Sequence, residues 1–488
     1  MNRLTALLFA CFGLACGLAV LATTPIGEVA DEPAHLIRAD SLSRGFLIGS
    51  RRPSEVDANI MEGAAPTDPG LHTMARRSID PDLHPMTRAG MDYIMRTPWE
   101  HKTRWLQIGQ IAAYMPAFYV PTAVTLWVGR MLDASPYHTT LVARLVDLLL
   151  FLAMGTLALL IARRGRAVLL WTLSVPMTLS LAAAVHQDGL LIGASVLAAA
   201  AASRSWDHLE TPDLVIRQGW YWTAVALVAV IAAAKPPYMG LAVMLLLPLP
   251  ENWRSRNARD ALLKRCGVMI ATCVPALLWL AVANPRAAGN LGRLPYEAGP
   301  LWDGVRPAVF HSTDLQAQLH VLLSDPWRLI SLPVHAIVTN PNLWHETIGV
   351  LGWLNVVLPP ATYKLWWGAA VLAILSCLLR RRAVGPASSW LRPALEAALL
   401  LAGALATIWA VYISQYLAWT NVGNTLIEGP TGRYYLPVVP LLALALPQLA
   451  GRRLPGWLGD GLAWAPMVML VGMIYELPRI LVFVFNMS

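Results

Sequence analysis

The feature that most constrains this chain is a series of apolar runs, many of them about long enough to cross a lipid bilayer. A spanning helix needs roughly 20 mainly apolar residues. Eleven segments approach that pattern, near 4–24, 140–162, 167–185, 189–202, 218–234, 238–250, 266–284, 362–379, 394–418, 433–450 and 461–485. Inside a bilayer a helix satisfies its own backbone hydrogen bonds. The sequence therefore predicts an all-α polytopic membrane protein with about eleven transmembrane helices, treated as the single integral-membrane domain 1–488.

The composition excludes an ordinary soluble enzyme. Of 488 residues, 56% are hydrophobic and 14% are charged, whereas soluble domains are about one quarter charged. The net charge of +8 comes largely from Arg and Lys in short loops between apolar runs, so it reports membrane orientation and predicts no nucleic-acid partner. The five cysteines lie in apolar stretches without CxxC spacing, and we expect neither disulfides nor a zinc site.

The basic residues of the short loops set the predicted orientation. Cytoplasmic loops carry an excess of Arg and Lys, and the short basic loops here are 163–166, 204–217, 254–265, 380–382 and 452–453. All of them fall on one side if the N-terminus is cytoplasmic and 108–132 does not cross. Pro116 and Pro121 interrupt that segment, which favours an in-plane or re-entrant helix. We expect a multi-pass protein of the bacterial inner membrane with its N-terminus in the cytoplasm.

The same orientation places two long loops in the periplasm, 25–139 and 285–361. The first is expected to carry juxtamembrane helices, although 51–90 shows no clear helical or strand period. The second contains Trp-bearing helices that we expect on the membrane surface. A signal peptide cleaved near Ala22 or Thr24 is the alternative for the first run, and it leaves this arrangement unchanged.

A cluster of polar residues follows the first apolar run directly, in the sequence DEPAHLIRAD. Asp31, Glu32, His35 and Arg38 are predicted to begin a short helix that Asp31 caps, with Pro33 in its first turn. Such a helix could hold a general base beside an Arg that binds phosphate. A solvated, capped surface helix is the alternative, and spacing alone favours it. The pattern has only one of the two His residues of the zinc motif HExxH, because Asp31 stands in place of the first.

Further polar residues lie at the predicted outer ends of apolar runs. They are Asp188 in HQD, Lys235 and Tyr238 in KPPY, and Arg433 and Tyr434 in GRYY. Ionisable groups near apolar spans are costly and are usually paired or functional. For Arg144 and Asp147, within another apolar run, a structural role as a snorkelling anchor or in an interhelix salt bridge is the better interpretation. The orientation fixed by the basic loops brings the DEPAH, HQD, KPPY and GRYY motifs to one face.

Several of these motifs resemble the bacterial membrane family catalogued as DUF2142. The resemblance rests on DEPAHLIRADSLSRG, YMPAFYVPTA, VPMTLSLAAAVHQDGLLIGAS, AKPPYMGLAVMLLLP, GVLGWLNVVLP and GPTGRYYLPVVPLLALAL, in this order over most of the chain. That family looks like a branch of the GT-C glycosyltransferases. In those proteins a first helix precedes a long outer loop whose early acidic residue is the catalytic base, and a second acidic residue lies at the next outer turn.

The resemblance implies a fold, a reaction and roles for individual residues. The fold would be GT-C-like, and the reaction would pass a sugar, with inversion, from a polyprenyl-phosphate-linked donor to an envelope acceptor that is a glycan, lipid or protein. Asp31, or Glu32 as its alternative, would be the base, and Asp188 matches the second acidic position. Lys235 and Arg433 would meet the phosphate. His35 would bind substrate or orient Asp31, and no cofactor is obligatory, with a divalent metal compatible but not required.

Two other functions stay open from the sequence. A transporter or flippase of a lipid-linked saccharide would show structural repeats and ionisable groups near the bilayer midplane, and the chain has no evident repeat. A non-catalytic envelope-assembly protein would tolerate loss of Asp31. The glycosyltransferase interpretation leads because the charged candidates lie at outer helix ends.

Overall fold

The computed structural model describes residues 2–55, 58, 60–77, 88–206, 218–250, 252–289, 298–304, 313–379, 391–448 and 456–485. These residues are mainly helical. The helices are α1 (Asn2–Thr23), α2 (Glu32–Ser43), α3 (Pro69–Arg77), α4 (Arg88–Arg96), α5 (Val120–Met131), α6 (Pro136–Ile161), α7 (Arg166–Ser174), α8 (Pro176–Ala182), α9 (Gln187–Trp206), α10 (Gln218–Ala234), α11 (Arg256–Ala287), α12 (Leu315–Ser324), α13 (Arg328–Thr339), α14 (Leu343–Gly349), α15 (Pro360–Leu378), α16 (Leu391–Ala418), α17 (Val439–Ala445), α18 (Gly456–Leu462) and α19 (Ala465–Phe485).

Seven helices in the described part of the chain are long and apolar enough to cross a membrane. They are Arg3–Thr23, Pro136–Ile161, Gln187–Trp206, Arg256–Ala287, Pro360–Leu378, Leu391–Ala418 and Trp457–Phe485. The number becomes eight if α12 and α13, which bend by 103° at their junction, form one broken span. The protein is therefore a multi-pass helical membrane protein, and eleven continuous spans are not confirmed.

The four other apolar runs form helices that are short or interrupted. The run 167–185 is divided into α7 and α8, because Pro176 lacks the N–H that would continue the first helix. The run 218–234 is α10, which has 17 residues. A 3-10 helix at Pro236–Leu246 occupies much of 238–250. The run 433–450 begins with a 3-10 helix at Gly432–Tyr435 and continues as the short α17.

Helix α9 is the centre of the bundle. Of its most apolar 18 residues, 94% are buried, the largest share among the seven spanning helices. Its sequence is rich in Ala and Gly, and small side chains allow neighbouring backbones to approach closely. Helices α6, α7, α8, α10 and α17 pack against it. The N-terminus of α9, with Gln187 and Asp188, is consequently held on several sides.

The segment 108–132 contains no helix of spanning length. It consists of 3-10 helices at Gly109–Ala113 and Pro116–Tyr119 followed by α5, which has 12 residues. Pro116 and Pro121 stand in the first turns of the second 3-10 helix and of α5, where a missing N–H costs no hydrogen bond. Helix α5 packs against α2 and α6.

Two small antiparallel sheets depart from the all-α prediction. Strands β1 (Ser50–Pro53), β2 (Met61–Thr67) and β3 (Arg104–Gln107) form one sheet in that order. Strands β4 (Val350–Leu351) and β5 (Val356–Val357) form the other. The first two strands lie in the stretch where the sequence shows no period. The hairpin of β4 and β5 lies against the loop before α2, because Trp353 Nε1 donates to the carbonyl of Gly27 at 2.9 Å.

Candidate functional site

The loop between α1 and α2 presents Asp31 in a left-handed backbone conformation, with φ at 67°. Few residues other than Gly adopt such a φ, and Asp and Asn are among those that do. Pro33 stands in the first turn of α2 as predicted, but the prediction that the Asp31 side chain caps the helix was wrong. The side chain instead leaves the helix axis and pairs with Arg433, which comes from a distant part of the chain.

Asp31 belongs to a cluster of two carboxylates and two cations. Arg433 Nη2 donates to Asp31 Oδ2 at 2.6 Å, and Lys235 Nζ lies 2.5 Å from Asp188 Oδ1. Arg433 Nε is 3.9 Å from Asp188 Oδ2, which links the two pairs. These residues come from the loop before α2, the start of α9, the end of α10 and the 3-10 helix after 431. The predicted convergence of these four residues is therefore present in the structure, and their formal charges balance.

Asp31 remains ionised in this arrangement and partly open to solvent. Its side chain is 39% exposed, whereas that of Asp188 is 5% exposed. Burial by itself raises the pKa of Asp31, but the charge of Arg433, together with His35 and His186, lowers that pKa to about 2. Asp31 is the more accessible of the two carboxylates in the cluster.

Two histidines adjoin the cluster. The rings of His35 and His186 are 4.1 Å apart between centroids, edge to face. His35 Nδ1 is 2.6 Å from the hydroxyl of Tyr119. Burial lowers the pKa of His35 to about 4, against the opposing effect of Asp31. Both rings are buried, and His35 is therefore uncharged at neutral pH.

Glu32 points away from this cluster and is saturated with hydrogen bonds. Its carboxylate receives Nε and Nη2 of Arg144 at 2.7 and 2.6 Å, and the backbone N–H groups of Gly27 at 2.7 Å and Val185 at 3.0 Å. The Glu32 and Arg144 side chains are both 0% exposed. Glu32 thus ties the loop before α2 to α6 and to the loop before α9.

Arg144 forms an interhelix salt bridge, as expected. It joins α6 to Glu32 of α2. Arg144 also donates to the carbonyls of Thr24 and Pro25 at 2.7 and 2.9 Å. Asp147 instead accepts from the hydroxyl of Thr122 at 2.8 Å. Which carboxylate an intramembrane Arg selects depends on the helix packing.

Arg38 is also turned away from the cluster. Its guanidinium is buried and donates to the carbonyls of Phe46, Leu47 and Tyr114. It also lies over the ring of Tyr119, 5.8 Å from the ring centroid. These contacts fix the chain after α2 and leave the predicted phosphate-binding role to other cations.

The two predicted tyrosines support the cations of the cluster. Lys235 Nζ lies 4.8 Å from the ring centroid of Tyr434, and the guanidinium carbon of Arg433 lies 5.4 Å from it. The Tyr238 hydroxyl donates to the carbonyl of Tyr434 at 3.1 Å. A ring beside a cation contributes a favourable electrostatic contact. Tyr434 therefore stabilises both cations.

Sequence reasoning missed Glu346, which fixes the turn that carries Arg433. Its Oε2 accepts from the backbone N–H of Gly432 at 2.9 Å. A Cβ on Gly432 would lie 2.1 Å from the backbone nitrogen of Thr347, so this position requires glycine. The GRYY motif does not reveal Glu346, because that residue belongs to α14. His186 was not among the predicted site residues, although its place in the HQD motif with Asp188 was an available signal.

In the part of the chain that the structure describes, no group of three or more His, Cys, Asp and Glu side chains is placed to hold a metal ion. The cluster combines two carboxylates and two cations beside two imidazole rings. An anionic group that displaced a carboxylate would find a cation to bind and a carboxylate nearby that can accept a proton.

Fold and cluster together define a multi-pass helical membrane protein with a charge-balanced polar site at the ends of its helices. The family model described as "Predicted membrane protein (DUF2142)" matches residues 14–442. The chain belongs to that family. No curated protein and no solved structure matches it.

Proposed function

We propose that this protein is a GT-C-type glycosyltransferase that moves a sugar from a polyprenyl-phosphate-linked donor to an envelope acceptor. The observation that carries the proposal is the pairing of a partly exposed carboxylate, Asp31, with Arg433 at 2.6 Å, beside Lys235 and Asp188. Glycosyl transfer from a phosphate needs one carboxylate base and cations for the leaving group. This cluster supplies both kinds of group.

The proposed reaction uses these groups. The acceptor hydroxyl attacks the anomeric carbon, its proton passes to the Asp31 carboxylate, and the bond from that carbon to the phosphate oxygen breaks. The configuration at the anomeric carbon is thereby inverted, and polyprenyl phosphate leaves with the bonding electron pair. Arg433 and Lys235 stabilise the charge that develops on the phosphate. We assign no step to a divalent metal, because the HQD motif contributes a single carboxylate.

Donor binding explains how Asp31 becomes basic enough to act. In the resting cluster Arg433 holds the pKa of Asp31 at about 2, where a carboxylate is a poor base. When the phosphate of the donor takes over the Arg433 guanidinium, Asp31 loses its strongest stabilising partner and its pKa rises. The base is then activated only when a donor is present.

The contacts of Glu32 favour Asp31 as the base. The four hydrogen bonds to the Glu32 carboxylate and its complete burial leave no lone pair directed at a substrate. The Asp31 side chain accepts from Arg433 and is 39% exposed. We therefore assign catalysis to Asp31, positioning to Glu32, and substrate contacts to Lys235, Arg433 and His35.

We place this site at the periplasmic face of the bacterial inner membrane, with the N-terminus in the cytoplasm. The basic short loops support this orientation. In a GT-C-like arrangement of about eleven membrane crossings, the divided helices α7 and α8 and the short α10 would contribute crossings, since each lies inside the bundle beside α9. The donor would then arrive from the outer leaflet, and surrounding lipids would cover the apolar helix faces.

The decisive experiment replaces Asp31 with Asn in a deletion strain that carries the gene on a plasmid. Asn retains the side-chain volume and tolerates the left-handed backbone of this position. We expect loss of the envelope glycan by about 10²- to 10⁴-fold, the usual effect of removing a general base. The protein should remain in the membrane at wild-type abundance. Near-normal glycan from the Asp31→Asn strain would overturn the enzyme proposal and favour a flippase or an assembly protein.

A further inference from the structure

Nη1 of Arg433 and Nε2 of His186 face each other within the charge cluster. The backbone N–H of Asp188 donates to Nδ1 of His186 at 3.1 Å. A neutral imidazole that accepts at Nδ1 carries its proton on Nε2. That Nε2 lies 3.5 Å from Nη1 of Arg433, and a guanidinium nitrogen only donates. Two N–H groups do not hydrogen-bond each other, so both are available to a shared acceptor.

Arg433 has further N–H groups that no described residue accepts from. Its Nη2 bonds Asp31 at 2.6 Å, but its Nε is buried and has no hydrogen-bond partner among the described residues. Asp188 Oδ2, at 3.9 Å from this Nε, is too far for a hydrogen bond. Buried donors without acceptors are rare and call for an explanation such as a ligand. A phosphate fits, because its oxygens match the planar fork of a guanidinium.

The surroundings keep His186 neutral, so that its Nε2–H is a permanent donor. The residue is 3% exposed. Burial lowers the pKa of His186 well below its ordinary value, the charges of Arg433 and Lys235 lower it further, and Asp31 opposes them. His35 also lowers this pKa. A neutral ring adds a donor to the site without adding a third positive charge.

We propose that His186 donates its Nε2–H to a phosphate oxygen of the lipid-linked donor, beside the cations Arg433 and Lys235. This inference rests on the proposed function and adds a phosphate-binding residue to it. The backbone N–H of Asp188 sets the tautomer of His186, and the ring therefore recognises an acceptor oxygen rather than a second donor. The site binds a phosphate ester and discriminates against an uncharged polyprenol of the same chain length.

The test measures equilibrium binding of radiolabelled polyprenyl phosphate to the full chain in nanodiscs, with unphosphorylated polyprenol as the control ligand. Two variants separate the ring nitrogens. In His186→Gln the amide nitrogen can occupy the place of Nε2, whereas in His186→Asn the amide reaches only the place of Nδ1. We expect binding within about threefold of wild type for Gln and at least about tenfold weaker for Asn, the scale of one hydrogen bond to a charged group. Polyprenol binding should be the same in all three proteins.

Equal phosphate affinity in wild type and His186→Asn would refute the inference, as would an equal loss in both variants while both stay monodisperse. If either variant does not fold, ¹⁵N histidine spectra of the wild type decide. An Nε2–H tautomer whose signal moves on adding polyprenyl phosphate supports the role, and an Nδ1–H tautomer or an unmoved signal overturns it. A wild type that does not prefer the phosphate over polyprenol removes the proposed donor class as well. Retained phosphate binding in Asp31→Asn without glycan transfer leaves both proposals standing.

Discussion

Replacing Glu32 with Gln tests whether the two adjacent acidic residues have separate roles. The change removes one charge and keeps the shape, so the buried Arg144 loses the carboxylate to which it donates two hydrogen bonds. Both side chains of this pair are 0% exposed. Breaking such a pair by neutralising one partner typically costs about 3–5 kcal/mol. The Asp31→Asn change disrupts a pair whose carboxylate is 39% exposed, and Asp188 remains 3.9 Å from Arg433. Its cost should therefore lie below that of the fully buried pair and above the roughly 1 kcal/mol of an exposed pair.

The assay is the fraction of monodisperse protein that remains after heating in detergent, measured by size-exclusion chromatography. Glu32→Gln should lower the midpoint temperature by several degrees, whereas Asp31→Asn should lower it clearly less. The double variant Glu32→Gln with Arg144→Met is the matched control, since it removes both charges. It should recover much of the loss, because an apolar replacement of a whole buried pair is often neutral.

Two results would refute this reasoning. If Asp31→Asn destabilises the protein as strongly as Glu32→Gln, the separation of structural and chemical carboxylates is wrong. If the double variant is no more stable than Glu32→Gln alone, an unpaired Arg144 charge is not the cause of the loss.

Two further predictions concern the cations and the histidines. Lys235→Ala should reduce transfer mainly at limiting donor and recover with excess polyprenyl-phosphate sugar, because a cation that meets the phosphate before reaction acts on binding; a loss that excess donor does not restore in steady-state kinetics would contradict this. Stability should fall as the pH drops from about 6.5 to about 4, since His35, with its pKa lowered by burial to about 4, takes up a proton only on unfolding. Thermal midpoints of His35→Gln across that range should show a shallower pH dependence, and an unchanged slope would exclude this contribution.

Hydropathy located the helices well but not their continuity. The runs that became α1, α6, α11 and α16 contain long uninterrupted apolar stretches, and each is a helix of spanning length. The run divided at Pro176 has the same apolar character, and its break follows from one missing N–H. The short helices α7, α8 and α10 pack against the buried helix α9, so contacts with protein as well as the bilayer thickness set their lengths. The length of an apolar run therefore predicted that a helix is present more safely than that the helix crosses the membrane.

The sheet of β1, β2 and β3 could not be read from the sequence for a different reason. Its strands are short and contain Pro53 and Pro66, which argue against strands in isolation. Close approach of other backbone segments holds them together. A Cβ on Gly63 would lie 2.2 Å from the carbonyl oxygen of Gly109 and 2.5 Å from that of Ala287. Such contacts join parts of the chain that no local pattern relates.

The sequence predicted which motifs form the candidate site, but not which side chains pair within it. Placing the basic loops on one side was enough to bring Asp31, Asp188, Lys235 and Arg433 to a common face, and the structure places them in contact. The division between Asp31 and Glu32 was not accessible, because two adjacent carboxylates have the same sequence signal. The left-handed turn at Asp31, at φ 67°, separates the two side chains, and local sequence does not predict it.

The balance of charge in the cluster connects its stability with its proposed chemistry. Unpaired charges beside apolar helices are costly, so a phosphate site in such a place is most stable at rest when carboxylates occupy its cations. Asp31 and Asp188 fill that position for Arg433 and Lys235. An entering phosphate must displace them, and the carboxylate that is more exposed, Asp31, is the one that can move toward solvent and acceptor. In the proposed mechanism donor binding and release of the base are one event, which would prevent Asp31 from acting on an acceptor before a donor is in place.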